Sequence, residues 1–275
     1  MSNQIIKLGI VGGGYVGSAT ALFESTNLQV RIYDIDPTKR RPAQTTLNDI
    51  INSDLIFICV PTPSSSDGSC NTSIVQAVVA QLMELNPELD QIIIRSTVPP
   101  GTSSSLGTHF MPEFLTEKNW RQDFINRDTW IFGLNADKNP NKIQKLCQDL
   151  IDTAHADGSI KSNTTAFVTT DEAECAKYVR NCFLTCKVSF FNEIAEYCSQ
   201  TGLDYETIRL LTIEDSRIGE SHTRVPGNNG KYGFGGTCFP KDLAAFISEF
   251  KSKGVSSDIM SAAHQRNQRD IQKNQ

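Results

Sequence analysis

The segment Gly12-Gly-Gly14-Tyr15-Val16-Gly17 constrains this chain more than any other feature. It follows a short apolar run at 5–11 and opens a stretch of helical pattern. Glycines at that spacing suit a strand that turns sharply into a helix. Gly12 permits the tight turn, Gly14 leaves the backbone open to a pyrophosphate, and Gly17 lets helix pack closely on strand. The helix N-terminus then faces the phosphates with unpaired N–H groups, and Tyr15 and Val16 lie in its first turn. A second apolar run, 29–33, ends at Asp34, about 20 residues further on, where a carboxylate accepts from a ribose 2′-hydroxyl. That carboxylate repels a 2′-phosphate, so NAD is the expected cofactor. Lys39, Arg40 and Arg41 follow at once, and Lys39 in particular is placed to touch phosphate, which keeps NADP open.

Further apolar runs at 55–60, 91–96, 130–134 and 166–169 alternate with helical pattern, for instance at 73–85 and 140–153. They are short and rich in β-branched residues, as strands buried on both faces should be. Alternation of this kind predicts a doubly wound parallel sheet. The loops Val60-Pro61-Thr62-Pro63 and Ser96-Thr97-Val98-Pro99-Pro100-Gly101-Thr102 fall at carboxyl ends of predicted strands, where open α/β sheets bind ligands.

The pattern changes after residue 170. No Gly or Pro interrupts 171–199, Thr169 and Glu172 have capping-box spacing, and Gly202 is a natural stop, so one long helix is expected. A glycine-rich loop follows at 219–236. Helical pattern then runs from Pro240 to the end, with a break near Gly254. The expected fold is α/β: an N-terminal Rossmann-type doubly wound parallel sheet over 1–170, then the long helix and a small all-α domain over 171–275.

Bulk properties exclude several function classes. The formal net charge of −5 over 275 residues gives no general attraction for nucleic acid or an anionic membrane. No run of about 18 apolar residues is present, and the N-terminus lacks a charged region followed by a long apolar one. A cytoplasmic protein is expected, with its eight cysteines as thiols. Cys182 and Cys186 would share a helix face, but the four histidines are scattered and complete no ligand set, so no metal site is expected.

The most chemically suggestive stretch is Tyr232-Gly-Phe234-Gly235-Gly-Thr-Cys238-Phe-Pro240-Lys241-Asp242. Proline suits the first turn of a helix, which puts Cys238 just before a helix N-terminus with Lys241 close by. Both features favour a thiolate. Asp242, four residues on, can reach the same place. Lys177 and Asn181 share a face of the long helix at i and i+4. If they lie against apolar neighbours, the lysine can act as a base or hold an oxyanion; the ordinary alternative is a solvated pair. Glu113 and Glu117, in Pro112-Glu-Phe114-Leu115-Thr-Glu117, can do acid–base work near the sheet's carboxyl end or be plain surface charges.

Taken together, 12–17, 60–63, 96–102, 112–117, 176–181, 191–193, 215–219 and 233–242 resemble, in order, the motifs of the UDP-glucose 6-dehydrogenase family of nucleotide-sugar dehydrogenases. The resemblance implies a four-electron oxidation of a sugar's primary alcohol to a carboxylate with two NAD. Cys238 matches the nucleophile that forms a thiohemiacetal and then a thioester. Asp242 matches the carboxylate that assists water, and Lys177 with Asn181 the oxyanion pair. Thr97 and Glu117 match residues that order the catalytic water and border the cofactor. Glu113, with Phe114 and Leu115, matches the sugar pocket. Arg217 matches an arginine that reaches the sugar across a dimer interface, so a homodimer around the long helices is implied. UDP-glucose is the default substrate; N-acetylated sugars and GDP-mannose serve related families.

The sequence departs from that pattern twice. The family's C-terminal nucleotide-binding domain is not represented, so a truncated piece, a naturally short form or a half-enzyme that borrows a partner is expected. The loop Pro226-Gly-Asn-Asn-Gly-Lys231-Tyr232-Gly-Phe234-Gly235-Gly is longer than usual, and Lys231 is a candidate for a diphosphate contact. Two other readings stay open: a two-electron hydroxy-acid dehydrogenase, which needs no cysteine, and a non-catalytic subunit that binds NAD and a sugar nucleotide.

Overall fold

The computed structural model describes residues 5–116 and 118–274. Its elements alternate as β1 (Ile6–Val11), α1 (Tyr15–Thr20), β2 (Leu28–Tyr33), α2 (Leu47–Ile50), β3 (Leu55–Ile58), α3 (Ser73–Leu85), β4 (Ile92–Ile94), α4 (Thr102–Ser105), β5 (His109–Phe110), α5 (Trp120–Ile125), β6 (Trp130–Leu134), α6 (Pro140–Ala156) and β7 (Thr165–Thr169). Helices follow: α7 (Thr170–Thr201), α8 (Tyr205–Ile213), α9 (Phe239–Ser252) and α10 (Asp258–Gln272).

Among the described residues the sheet has seven strands in the order β2-β1-β3-β4-β5-β6-β7. The chain leaves β1 for β2 on one side and crosses back to β3 on the other. The carboxyl ends of β1 and β3 therefore flank a topological switch point, the place where open sheets hold ligands.

One expectation about the sheet is corrected. All neighbours are parallel except β5 and β6, which meet antiparallel at Phe110 and Gly133. A parallel return needs a crossover that spans the sheet. The six residues of α5 instead seat Phe124 against Phe23 and Trp130, at ring distances of 4.8 and 5.0 Å. With β5 only two residues long, the sequence carries no periodic signal for it.

Strand alternation sorts the core into two layers. Leu8, Ile10, Leu55, Phe57 and Ile93 point to one face, where they meet Ile143, Cys147, Leu150 and Ile151 of α6. Val11, Ile56, Ile58, Ile92 and Ile94 point to the other and meet Val75, Val79 and Leu82 of α3. The i, i+4, i+7 spacing of those α3 residues puts them on one helix face. β3 and β4 end earlier than the apolar runs suggest. Arg95 and Ser96 both turn their N–H groups to the Ile58 carbonyl, at 2.8 and 3.1 Å, and leave the ladder.

The start of α7 has the predicted box: Thr169 N–H donates to Glu172 Oε2 at 2.9 Å, and Glu172 N–H to Thr169 Oγ1 at 3.3 Å. Gly202 follows its end with φ +73°, a conformation side chains resist. No helix among the described residues is long and apolar enough to cross a membrane.

The chain forms two units: Met1–Pro63 with Asn71–Lys177, and Ser64–Cys70 with Tyr178–Gln275. The first holds the sheet. The second is helical, apart from an antiparallel bridge between Ser64 and Cys70. Within it Tyr178 stacks on Phe246 at 5.2 Å, and Arg209 is buried with Glu206 and Thr223 as its partners.

Candidate active site

In the first unit, the glycine turn has the form the sequence predicted. Gly12 has φ +102°, and a Cβ there would sit 2.5 Å from the Cys59 carbonyl oxygen. A Cβ on Gly17 would come within 1.9 Å of the Gly12 oxygen, so helix and turn pack too closely for any other residue. Around Gly14 a Cβ would meet nothing within 4 Å, which leaves that side of the turn open to a ligand. Asp34 ties the turn down: its Oδ2 accepts from Gly13 N–H at 2.6 Å and its Oδ1 from Asp36 N–H at 2.8 Å. The basic residues beyond are locally engaged. Lys39 pairs with Asp36, Arg40 donates to the Asp34 carbonyl and lies over Tyr33, and Arg41 pairs with Glu24. A carboxylate at Asp34 and occupied cations after it suit NAD rather than NADP. Val16 packs against the core, and the Tyr15 ring meets Trp120 edge-on at 6.1 Å.

The two proline-rich loops are joined. Thr62 Oγ1 donates to the Thr97 carbonyl at 2.8 Å, and Ser96 Oγ to the Val60 carbonyl at 2.7 Å; Pro61 is exposed beside them. Beyond them lies the main electrostatic feature of this unit. Lys177 Nζ stands 2.5 Å from Glu113 Oε1, both buried, so the reading of either as a solvated surface charge is overturned. Glu113 Oε2 also accepts from Leu115 N–H at 2.9 Å. Burial pushes the Glu113 carboxyl up, but the Lys177 charge and hydrogen bond, the Leu115 N–H and Arg95 outweigh it and hold it below its ordinary value. The Phe114 ring lies under Lys177 Nζ at 5.6 Å and under Arg127 at 5.1 Å. Glu117, expected to order water, lies outside the described residues.

In the second unit, Cys238 is the N-cap of α9, with Pro240 in the first turn as predicted. The thiol is half-buried, and Thr237 Oγ1 is 3.7 Å from Sγ. Asp242, one turn on, is fully buried. Its Oδ2 accepts from Asn181 Nδ2 at 2.6 Å and its Oδ1 from Lys241 Nζ at 2.6 Å. The Lys241 ammonium is thus bound to the carboxylate next door. The glycine-rich loop holds Phe234 buried and Gly235 exposed, with Tyr232 between them and the exposed Lys231. Arg217 is exposed and folds back onto Asp215 at 2.9 Å.

Sequence reasoning missed several residues that shape these places. Asn267 of α10 staples the loop, accepting from Phe234 N–H at 2.7 Å and donating to its carbonyl at 3.0 Å. Asn274 does the same for Tyr232, at 2.8 and 3.0 Å. In the first unit Glu174 accepts from the N–H groups of Gly101 and Ser103, at 2.7 and 2.8 Å, and so holds the loop that begins at Thr97. Its signal was the three-residue step to Lys177 on one helix face.

A switch-point sheet with an open glycine turn and an acidic second strand defines a Rossmann-type, NAD-binding protein. Comparison with known proteins takes this further. Residues 39–151 match the NAD binding domain, and 171–269 the central domain, of the UDP-glucose/GDP-mannose dehydrogenase family. The UDP-glucose 6-dehydrogenase of Pseudomonas aeruginosa is 29% identical over 96% of this chain and 66% of its own length. That of Bacillus subtilis named TuaD is 31% identical over 96% of this chain and 63% of its own. A solved UDP-glucose dehydrogenase from Pyrobaculum islandicum superposes with a TM-score of 0.82 at 26% identity, covering 97% of this chain and 69% of that one. The chain belongs to the UDP-glucose/GDP-mannose dehydrogenase family. It spans about half to two thirds of the length of the curated relatives it matches.

Proposed function

We propose that this chain carries the NAD-binding and catalytic parts of a nucleotide-sugar dehydrogenase that oxidises a sugar's primary alcohol to a carboxylate, with UDP-glucose as the default substrate. The observation that carries this reading is the arrangement on α9: a thiol at the helix N-cap, and one turn on a buried carboxylate locked by two donors. A nucleophile beside a fixed carboxylate suits an acyl intermediate that water must cleave.

The glycine turn and Asp34 would hold the dinucleotide, with Lys39 just after them as a phosphate contact, and Val60, Pro61, Thr62, Thr97 and Lys241 as further contacts carried over from the resemblance. NAD, when bound, supplies the hydride acceptor for each of the two oxidations. In the chain's own chemistry, Cys238 sulfur adds to the aldehyde carbon, making a C–S bond and a thiohemiacetal. The second oxidation leaves a thioester. Water attacks its carbonyl, Asp242 takes the water's proton, and the C–S bond breaks to return the thiol and release the acid. Lys177 and Asn181 donate to the oxyanion, and Thr97 and Glu117 order the water. Glu113, Phe114, Leu115, Tyr232, Phe234 and Gly235 border the sugar, Arg217 reaches it from a second subunit, and Lys231 meets the diphosphate.

Self-association is part of the proposal. Phe183, Phe190 and Tyr197 follow one another at seven-residue steps on α7, with 66%, 59% and 61% of their surface exposed. An apolar stripe with that period is what a partner helix covers.

The deciding experiment mixes the protein with NAD and a panel of UDP- and GDP-sugars, and counts NADH per sugar consumed. Two per sugar, abolished by Cys238→Ser, is the expected result. One per substrate, surviving Cys238→Ser, points to hydroxy-acid chemistry. NAD binding without turnover means that the chain needs a partner or a further domain for the reaction.

A further inference from the structure

The segment Tyr232-Gly233-Phe234 of the second unit presents three consecutive backbone N–H groups, and an asparagine side chain takes each of them. Asn274 Oδ1 accepts from Tyr232 N–H at 2.8 Å, Asn192 Oδ1 from Gly233 N–H at 3.1 Å, and Asn267 Oδ1 from Phe234 N–H at 2.7 Å. Two of the asparagines also return a donor. Asn267 Nδ2 donates to the Phe234 carbonyl at 3.0 Å, and Asn274 Nδ2 to the Tyr232 carbonyl at 3.0 Å. A primary amide offers a donor and an acceptor side by side without charge, so it closes on the N–H and C=O of one residue as a neighbouring strand would.

The grip is itself held. Asn192 Nδ2 donates to the Val188 carbonyl at 2.8 Å within α7, which fixes the way its amide faces. Arg266 of α10 donates to the Asn192 carbonyl at 3.1 Å and to Asp270 at 3.0 Å, with Glu196 of α7 as a further partner. Gly233 has φ +71°, and a Cβ there would sit 2.4 Å from Asn267 Oδ1, so only glycine lets the segment lie this close. Just before it, Gly227 N–H donates to the Lys231 carbonyl at 2.8 Å and closes the turn 227–231. Lys231 is therefore fixed from both sides. Tyr232 and Gly233 are only half-buried, and water could satisfy their N–H groups without any asparagine. What the side chains add is order. Glycine-rich backbone loses much freedom when it is fixed, and ordering a loop during binding subtracts from affinity.

We propose that Asn192, Asn267 and Asn274 are positioning residues that set the loop 231–234 in its binding conformation before the sugar nucleotide arrives. The identity of that ligand rests on the functional reading above. In this role the asparagines touch neither substrate nor cofactor and act through Lys231, Tyr232 and Phe234.

The test compares Asn267→Asp and Asn274→Ala with the unaltered chain. Asn267→Asp keeps the size and the acceptor but loses the donor, and sets a carboxylate oxygen against the Phe234 carbonyl. Hydrogen exchange without ligand reads the amides of 232–234. Their protection falls in both variants, with circular dichroism unchanged. As the pH is lowered, protection in Asn267→Asp, corrected for the intrinsic rate, returns toward that of the unaltered chain, because the acid form again donates from one oxygen and accepts at the other. The unaltered chain and Asn274→Ala, which share Glu196, Arg266, Asp270 and Lys273, show no such return. With NAD in excess, the KM for the sugar nucleotide rises roughly five- to tenfold in each variant, the worth of one lost hydrogen bond, while kcat and NAD affinity hold. Should Asn267→Asp not fold, Asn274→Ala, at an exposed position, makes the comparison alone. Protection that stays the same in both variants overturns the proposal, and so does a KM that stays the same while protection falls. Protection that falls in a chain that oxidises no nucleotide sugar upholds the grip on the loop and removes the functional reading instead.

Discussion

The Lys177 ammonium meets Glu113 Oε1 at 2.5 Å, with 3% and 5% of the two side chains exposed. Breaking such a pair strands a buried charge. Lys177→Met should lower the unfolding free energy by about 3–5 kcal/mol, and replacing both residues with apolar ones should cost less than the sum of the single changes. Denaturant titration of the four proteins measures this. The pH dependence has a definite sign. Burial acts upward on Glu113, but Lys177, the Leu115 N–H and Arg95 prevail, so its folded value lies below the ordinary 4.5. Its contribution is present above that value and lost as pH falls through the folded one. Lys177→Met should flatten this acid-side loss.

Glu174 titrates the other way. Burial raises its carboxyl to about 7 despite the N–H groups of Ser103 and Gly101, and Asp171 adds to the rise. Because the folded protein binds this proton more tightly than the unfolded chain, the contribution is complete below about 4.5 and lost as pH rises to about 7. Glu174→Gln keeps one acceptor and cannot ionise. The stability advantage of the unaltered chain over Glu174→Gln should therefore shrink between pH 4.5 and 7, as melting temperatures across that range will show. An advantage that grows with pH contradicts this account.

Lys231 is exposed on the glycine-rich loop, whose backbone Asn267 and Asn274 hold in place. A cation on a held loop adds binding to an anionic group without touching the reacting carbon. Lys231→Ala should raise the KM for the sugar nucleotide with little change in kcat. Steady-state kinetics at several salt concentrations test it, and an unchanged KM removes the diphosphate contact.

The stripe Phe183, Phe190 and Tyr197 should matter for assembly alone. Phe183→Glu with Phe190→Glu replaces two of the three exposed aromatic residues of that stripe with charge. Light scattering should show a dimer for the unaltered chain and a monomer for the double variant, with unchanged far-ultraviolet circular dichroism. A monomer in both cases would leave the stripe without a partner of its own kind.

Much of the fold is legible in the sequence because it depends on local pattern. Short apolar runs mark the longer strands, glycines at fixed spacing mark the turn, and an uninterrupted helical stretch marks α7. β5 escapes because two residues carry no period, and α8 because the residue it buries is Arg209 while Leu210 and Leu211 lie exposed, so it shows no apolar stripe. Of the candidate site, the types and spacing of Cys238, Asp242, Lys177 and Asn181 were readable, but their surroundings were not. Lys177 and Glu113 are 64 positions apart, and both read equally well as surface charges. Arg95 had a signal, a charge set directly against Ile92-Ile93-Ile94, yet its burial against Met111 follows from long-range packing.

The sequence by itself determined the dinucleotide turn, the preference for NAD, the strand–helix alternation and the thiol at a helix start. Each follows from steric or electrostatic rules acting over a few residues. Only the tertiary structure decided that β5 and β6 run antiparallel, that Glu113 and Lys177 are paired away from water, that Asp242 is held by Asn181 and Lys241, and that Glu174 holds the loop beyond Thr97. The reason is physical: burial and the identity of a charge's neighbours depend on segments brought together from distant parts of the chain, and those set whether a carboxylate or an ammonium is a surface ornament or a working group.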